Sequence, residues 1–302
     1  MEPAAWVASV GALSVPVHHR KAPAVNKTMT HIPTELAIWE RSQRRCPPEK
    51  VQISVIIPTL QEERTLKSLL ERFDDATIER YGIEVVVSDG GSSDQTVAIA
   101  QRYADVVAMH RAHRRQTIAE GRNVGAYLSH GETLVFLNAD CMPADWERFW
   151  HAVAQWASGG GPYATYAALA APVEVLPAER QWSDTIVHSM FNAYIIAAAR
   201  LGFGVGRGEC HLVRRWLFER IGGYAASLAA GEDFEFLHRA RQWSRIGIPQ
   251  ELLVYESPRR YRRWGYPRLL GQWFLNWVGA MFLRRSMVRE WSPVRESEPQ
   301  SR

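Results

Sequence analysis

Three short aliphatic runs constrain this chain more than any other feature, because each ends abruptly in a polar segment and helical spacing follows or intervenes. Residues 51–58 are apolar and β-branched and read as a buried strand. Leu66, Leu69, Leu70 and Phe73 then recur at helical spacing. Residues 83–88 repeat the pattern and run into Asp89-Gly90-Gly91-Ser92-Ser93-Asp94, with a helix expected over 95–103. After a further expected strand at 106–109 and a helix at 116–129, residues 133–137 form another apolar run that ends in Asn138-Ala139-Asp140. Strands alternating with helices make a parallel α/β sheet with right-handed crossovers. In such sheets ligands bind beyond the carboxyl ends of the strands. The polar segments at 58–63, 88–94 and 138–140 are therefore where chemistry is expected.

Beyond residue 144 the rhythm changes. Residues 145–157 have a helical pattern, 167–175 read as a strand, and 183–200 read as an apolar helix interrupted by His188, Asn192 and Arg200. A strand and a short helix are expected within 207–224, and a charged helix within 233–247. A last helix is expected over 266–283, with Trp273 and Trp277 on one face. Residues 1–49 lack a sustained period and are expected to be a poorly ordered extension with a short helix near 35–43.

The formal charge of +4 is concentrated in residues 110–122 and 259–268. On charge alone each run reads as a solvated face, and phosphate-bearing substrates or anionic lipid account for such arginines as well as nucleic acid does. Cys46, Cys141 and Cys210 are far apart and form no metal or disulfide framework, which suits a reducing cytoplasm. Residues 4–15 are apolar, but Glu2 precedes them where a signal peptide carries Lys or Arg. No uninterrupted apolar run approaches about 20 residues, so a spanning helix is not expected.

Three carboxylate-bearing motifs stand out. Asp89 closes a strand and precedes two glycines that let a ligand approach backbone N–H groups. Asp140 is placed to ligate Mg²⁺ or Mn²⁺, which take phosphate oxygens as further ligands. Asp233, in Gly231-Glu232-Asp233 before a helix, is expected to be held ionised by the helix dipole, as a general base requires. Singly, each motif is also an ordinary turn or cap. Their order is what carries information.

With residues 54–63, 85–94, 121–126, 131–140, 222–224 and 231–233 in this order, the chain resembles the family 2 glycosyltransferases over roughly residues 51–264. The resemblance implies a GT-A fold, in which a mostly parallel nucleotide-binding sheet flanked by helices merges with a smaller acceptor-binding half. It divides the chain into the extension at 1–49, a domain at 50–264 whose halves meet near 143–144, and a C-terminal amphipathic helix and tail at 265–302. It implies that Asp89 reads the nucleotide base with Arg122 close by, and that Pro58, Thr59 and Glu62 line the donor pocket. Asn138 and Asp140 occupy the DxD positions, with Asp140 the metal ligand. Asp233 matches the catalytic base, and Arg259, Arg260, Arg263 and Trp264 match a basic segment near diphosphate or acceptor. Two departures are Gln61 for the usual Asn and Asn138 for the first Asp. Where some relatives supply a His ligand, Glu256 is the residue nearby.

The expected activity is an inverting, metal-dependent transfer of a sugar from a UDP- or GDP-sugar, UDP preferred, to an acceptor hydroxyl, with no nucleic-acid partner. Two rivals are a sugar-nucleotide-binding protein without transfer and a nucleotidyltransferase, although the glycine-free segment 58–63 counts against the second. Trp264, Tyr266, Trp273, Trp277 and Phe282, flanked by arginines, read equally as a helix docked on the core and as an interfacial helix that would suit a lipid-linked acceptor at the inner face of the membrane.

Overall fold

A computed structural model describes residues 6–7 and 35–279. In chain order the strands are β1 (Trp6–Val7), β2 (Leu36–Glu40), β3 (Ile53–Thr59), β4 (Ile83–Asp89), β5 (Val106–His110), β6 (Thr133–Leu137), β7 (Cys141–Pro143), β8 (Ala168–Ala170), β9 (Val173–Val175), β10 (Cys210–Arg214), β11 (Ile246–Gly247) and β12 (Val254–Glu256). The helices are α1 (Glu63–Leu70), α2 (Asp75–Tyr81), α3 (Thr96–Tyr103), α4 (Ile118–Leu128), α5 (Trp146–Ala157), α6 (Trp182–Arg200), α7 (Arg215–Ile221), α8 (Glu232–Ala240), α9 (Arg259–Trp264) and α10 (Tyr266–Val278).

Ile53, Val55 and Ile57 of β3 pack on one face of the sheet and Ile56 packs on the other, all fully buried. Burial on both faces is why these runs read as continuously apolar rather than alternating. Leu66, Leu70, Ile78, Ala100, Phe149 and Trp150 of α1, α2, α3 and α5 cover the first face. Ala119, Ala126, Ile195, Leu217 and Phe236 of α4, α6, α7 and α8 cover the second.

The order β5-β4-β3-β6 is parallel throughout, as the alternation of strand and helix requires. The chain winds from β3 through β4 to β5, then returns to the other side of β3 at β6. That reversal opens a crevice at the carboxyl ends of β3 and β6. Outside this block β2 pairs antiparallel with β5, and β10 runs antiparallel to both β6 and β8, so the nine-stranded sheet as a whole is mixed. A smaller sheet, β7-β12-β9, lies beside it.

Three local expectations change, and the last helix follows one of its two readings. Residues 36–40, expected within a short helix near 35–43 of a poorly ordered extension, form β2 instead, with Leu36 opposite His110 and Glu40 opposite Val106. The open edge of β5 supplies the backbone partners, and Leu36 and Trp39 bury their side chains. The strand expected over 167–175 divides into β8 and β9, which belong to different sheets, with Pro172 in the gap. The charged helix expected over 233–247 stops at Ala240, and residues 246–247 join the sheet as β11. In α10, Trp273 packs toward the protein, against Phe191 and under the Arg207 guanidinium, as a docked helix requires. The Trp277 side chain and Phe282 lie outside the described residues. Among the described residues no helix is long and apolar enough to cross a membrane.

Candidate active site

The carboxyl ends of β3, β4 and β6 open into a cavity of about 280 Å³. Pro58, Thr59, Glu62, Ser88, Asn138 and Asp140 line one side, and Arg114, Arg115, Gln116, Arg259 and Arg260 close the other. A second cavity of about 120 Å³ holds Arg122, Arg207, Glu209, Glu232 and Asp233 in its wall. Ile118, Asn138, Ala229 and Arg260 line both, so the two are adjoining chambers. Asp140 belongs to the first chamber and Asp233 to the second.

The small sheet explains how Arg259 arrives beside Asp140, 119 residues away in sequence. β7 starts immediately after Asp140, β12 ends three residues before Arg259, and their antiparallel register sets Glu256 opposite Cys141. One Arg259 nitrogen, Nη2, donates to Asp140 Oδ2 at 2.9 Å and to Glu62 Oε1 at 2.7 Å. Burial raises the Glu62 carboxyl, against the Arg259 hydrogen bond. Two carboxylates aimed at one cationic atom form a donor set that suits Mg²⁺ or Mn²⁺. Such ions accept one or two carboxylates and leave their remaining positions to water and phosphate oxygens. Among the described residues no three His, Cys, Asp or Glu side chains are arranged to hold a metal ion. Glu256, considered as a third ligand, is instead buried against Arg207 and the Tyr261 hydroxyl.

Asp233 sits in the first turn of α8, whose N-cap Gly231 has φ 81°, a left-handed conformation that glycine adopts without a Cβ penalty. Gly208 packs directly against its carboxylate, where a Cβ would come within 2.7 Å of Oδ2. The Phe234 N–H donates to Oδ1 at 2.9 Å. Burial first, then the charges of Glu232 and Glu209, push the Asp233 carboxyl up to about 7, against the opposing pull of Arg122. The expectation that the helix dipole keeps this group firmly ionised is thus reversed: desolvation beside like charge outweighs the dipole. A carboxyl near 7 is better matched to proton transfer at neutral pH than an ordinary one.

The other two carboxylates of this chamber carry guanidinium partners. Glu232 pairs with Arg122 at 2.9 Å and Glu209 with Arg207 at 2.8 Å. Asp233 makes no ion pair among the described residues. That difference sets Asp233 apart from the other two carboxylates.

Two residues expected at the nucleotide base, Asp89 and Arg122, do not line the first chamber. Asp89 is buried with both oxygens engaged by its own loop and β3: the Gly91 and Ser92 N–H groups donate to Oδ2, and the Thr59 and Ser92 hydroxyls to Oδ1. Its neighbours Ser88 and Gly90, rather than Asp89, line the first chamber. Arg122 lies in the second chamber, where it donates to Glu232, to Asn138 Oδ1 at 3.1 Å and to the Gly208 carbonyl. It ties the end of β6 to the start of α8. Pro58, Thr59, Glu62, Asn138, Asp140 and Arg260 line the first chamber. Gln61 has φ 60°, a left-handed conformation in which Asn is several-fold enriched and Gln is not, so the departure from the usual Asn falls where the backbone is strained.

Other residues of the site were not anticipated. Arg114 and Arg115 come from a basic run read as a solvated face, yet both line the first chamber. Arg114 also makes a two-pronged pair with Glu120 at 2.8 and 2.7 Å. Arg207 and Glu209 lie in the segment Gly202-Phe203-Gly204-Val205-Gly206-Arg207-Gly208-Glu209, whose alternating glycines were the available signal. Arg207 is buried among Glu209, Glu256, Tyr261 and His188. Burial, then the adjacent Arg207, lower His188 to about 4.

The model of "Glycosyl transferase family 2" matches residues 54–222, more than half of the chain. The chain belongs to this family. A curated family relative, an uncharacterized glycosyltransferase of Haemophilus influenzae, is 28% identical over 194 residues, covering 63% of this chain and 62% of the relative. The chain thus matches somewhat less than two-thirds of that relative's length. Among solved structures, the mannosyltransferase PcManGT of Pyrobaculum calidifontis in complex with GDP-Man and Mn²⁺ is similar with a TM-score of 0.52 and 22% identity, over 72% of this chain and 60% of that one. Glucosyl-3-phosphoglycerate synthase of Mycobacterium tuberculosis, solved with Mn²⁺, UDP and glucosyl-3-phosphoglycerate, gives a TM-score of 0.52 at 17% identity over 78% of this chain and 80% of that one. At these identities the likeness speaks for the fold, which is GT-A.

Proposed function

We propose that this family 2 member is an inverting, metal-dependent glycosyltransferase that moves a sugar from a nucleoside-diphosphate sugar to an acceptor hydroxyl. The observation that carries the reading is the pair of adjoining chambers, one holding Asp140 and Glu62, the other holding Asp233, which is raised to about 7 and has no ion pair among the described residues. The donor occupies the first chamber with its diphosphate toward Arg259 and Arg260. Asp140, with Glu62, would hold a divalent cation, which when bound supplies Lewis-acid neutralisation of the departing diphosphate. The acceptor enters the second chamber. Asp233 removes the hydroxyl proton as the oxygen bonds to the anomeric carbon, and the bond from that carbon to the diphosphate oxygen breaks. One displacement inverts the anomeric configuration. Arg260, which faces both chambers, lies where negative charge develops on the leaving group.

For the nucleotide we favour UDP over GDP. At about 280 Å³ the first chamber lies at the low end of ligand-site volumes, which suits a pyrimidine better than a purine. Thermal-shift measurements with UDP-, GDP- and dTDP-sugars, with and without Mn²⁺, test this choice; the largest Mn²⁺-dependent rise is expected with a UDP-sugar. Asp233→Asn is expected to keep that rise while lowering transfer by about 10²- to 10⁴-fold. Near wild-type turnover in Asp233→Asn removes Asp233 as the base. Donor binding without turnover in the wild type, across an acceptor panel, favours the non-catalytic binding protein.

A further inference from the structure

A surface helix ordinarily turns its apolar stripe to the core. In α6 the buried positions of the first three turns, Asp184, His188 and Asn192, are polar, and only the last turns bury apolar residues, Ile195, Ala198 and Ala199. Arg262 and the Tyr266 hydroxyl donate to Asp184, the Asn192 side-chain amide donates to the Val173 carbonyl, and His188 lies 3.1 Å from the same carbonyl. The outward side presents Trp182, Ile186, Met190 and Tyr194, four residues apart and hence on one face, continued past the helix end by Leu201 and Phe203. Trp182 is 79% exposed, Met190 69% and Leu201 78%. These six are more than half of the eleven large hydrophobic side chains exposed among the described residues, and Leu270 and Leu275 of α10 are two more. Single exposed apolar residues carry no message, but a clustered patch marks a contact surface.

Charge narrows the occupant. Arg200 is the one charged side chain exposed on α6. Arg263 and Arg268 are exposed on α9 and α10, Arg262 is exposed but pairs with Asp184, and residues 257–279 contain no Asp or Glu. The Phe191 and Trp273 rings, 6.0 Å apart, join α6 to α10, as does the 2.7 Å hydrogen bond from Tyr266 to Asp184. A second copy of this chain would bring arginines against arginines. A bilayer with anionic headgroups accepts both the Trp, Tyr and Leu side chains and the cations.

We infer that the face formed by α6 and α10 docks on an anionic lipid bilayer. Phe191 of α6 and Trp273 and Asn276 of α10 also line the chamber of Asp233, so that chamber lies beside the docked face. An acceptor hydroxyl carried on a lipid would then reach Asp233 from the bilayer side. This consequence rests on the function proposed above, whereas the docking does not.

Flotation of the full-length protein with vesicles tests the inference, using phosphatidylcholine alone and phosphatidylcholine mixed with phosphatidylglycerol. The protein is expected to float with the mixed vesicles at low ionic strength, less with the neutral ones, and less as salt is added. The double substitution Met190→Glu with Tyr194→Glu alters two exposed side chains that line neither chamber. It is expected to lower the partition coefficient at least about tenfold with Tm unchanged, while Tyr127→Glu, exposed on α4, leaves flotation as it was. A wild type that stays unbound, or a double variant that floats equally well, overturns the inference. Dimerisation abolished by the same double substitution, without vesicle binding, also overturns it, because a second copy then covers the face. Flotation needs neither donor nor turnover, so its failure leaves the transfer reading intact, and loss of transfer in Asp233→Asn leaves docking intact.

Discussion

At the scale of single residues, the chemistry depends on which carboxylates are neutralised by arginine. Among the described residues Asp233 makes no ion pair, and burial holds its carboxyl at about 7 against the pull of Arg122. A base must be ionised to act, so the proposed role of Asp233 fixes the sign: activity is expected above about pH 7 and is expected to be lost as pH falls through that value. The kcat/KM profile is expected to drop about tenfold per pH unit below 7. A profile flat down to about pH 5, where an ordinary carboxylate is still ionised, would mean that another group takes the proton. Arg259 illustrates the opposite arrangement. Its Nη2 sits between Asp140 and Glu62, and those carboxylates raise its own pKa against the cost of burial. Arg259 must therefore release these oxygens before a divalent ion can take them. Mn²⁺ binding without donor, followed by the electron paramagnetic resonance of the free ion, is expected to tighten on the order of tenfold in Arg259→Gln, equivalent to ~1.4 kcal/mol. Unchanged affinity would show that the arginine and the ion do not compete.

At the scale of elements, the active-site floor depends on how closely α4 lies on β3. A Cβ at Gly125 would come within 2.4 Å of Ile56 Cγ2, in a fully buried part of the core. Gly125→Ala should therefore destabilise by about 1 to 3 kcal/mol, since a packed core answers added volume with strain. The gain in helix propensity, at most ~1 kcal/mol, is too small to reverse that. Denaturant unfolding measures the outcome, and a variant as stable as the wild type would mean that α4 shifts freely. The helix itself is well specified locally. Thr117 and Glu120 form a capping box at its start, with Glu120 N–H donating to the Thr117 hydroxyl at 3.1 Å.

At the scale of the whole molecule, Arg122 joins the two halves of the site. It connects Asn138 at the end of β6, Glu232 at the start of α8 and the Gly208 carbonyl, and its guanidinium lies over the Tyr224 ring. Arg122→Met would leave Glu232 buried without its partner, at a cost of about 3 to 5 kcal/mol. That cost corresponds to a Tm fall on the order of 10 °C. Adding Glu232→Gln should recover part of it by removing the stranded charge. No recovery in the double variant would show that packing, rather than charge, makes Arg122 matter.

The strands, their polar ends and the order of the motifs are local or nearly local properties, so the residues alone determined them. Buried aliphatic runs at 53–57, 83–87 and 133–137 can satisfy their backbone and side chains in few other ways, and β6 spans Thr133–Leu137 as the run requires. The resemblance carried by the motif order led to the expectation that Asp140 and Asp233 share a site, and the structure sets them in adjoining chambers. What needed the tertiary structure is everything set by partners distant in sequence. Residues 36–40 carry a weak local preference that the free edge of β5 overrides. That the loop after β4 engages both Asp89 oxygens, and that Arg259 reaches Asp140 through the register of β12 on β7, are set by the folded chain. The proton affinity of Asp233 and the outward-facing apolar side of α6 follow likewise from burial. Burial belongs to the assembled chain, and sequence spacing does not encode it.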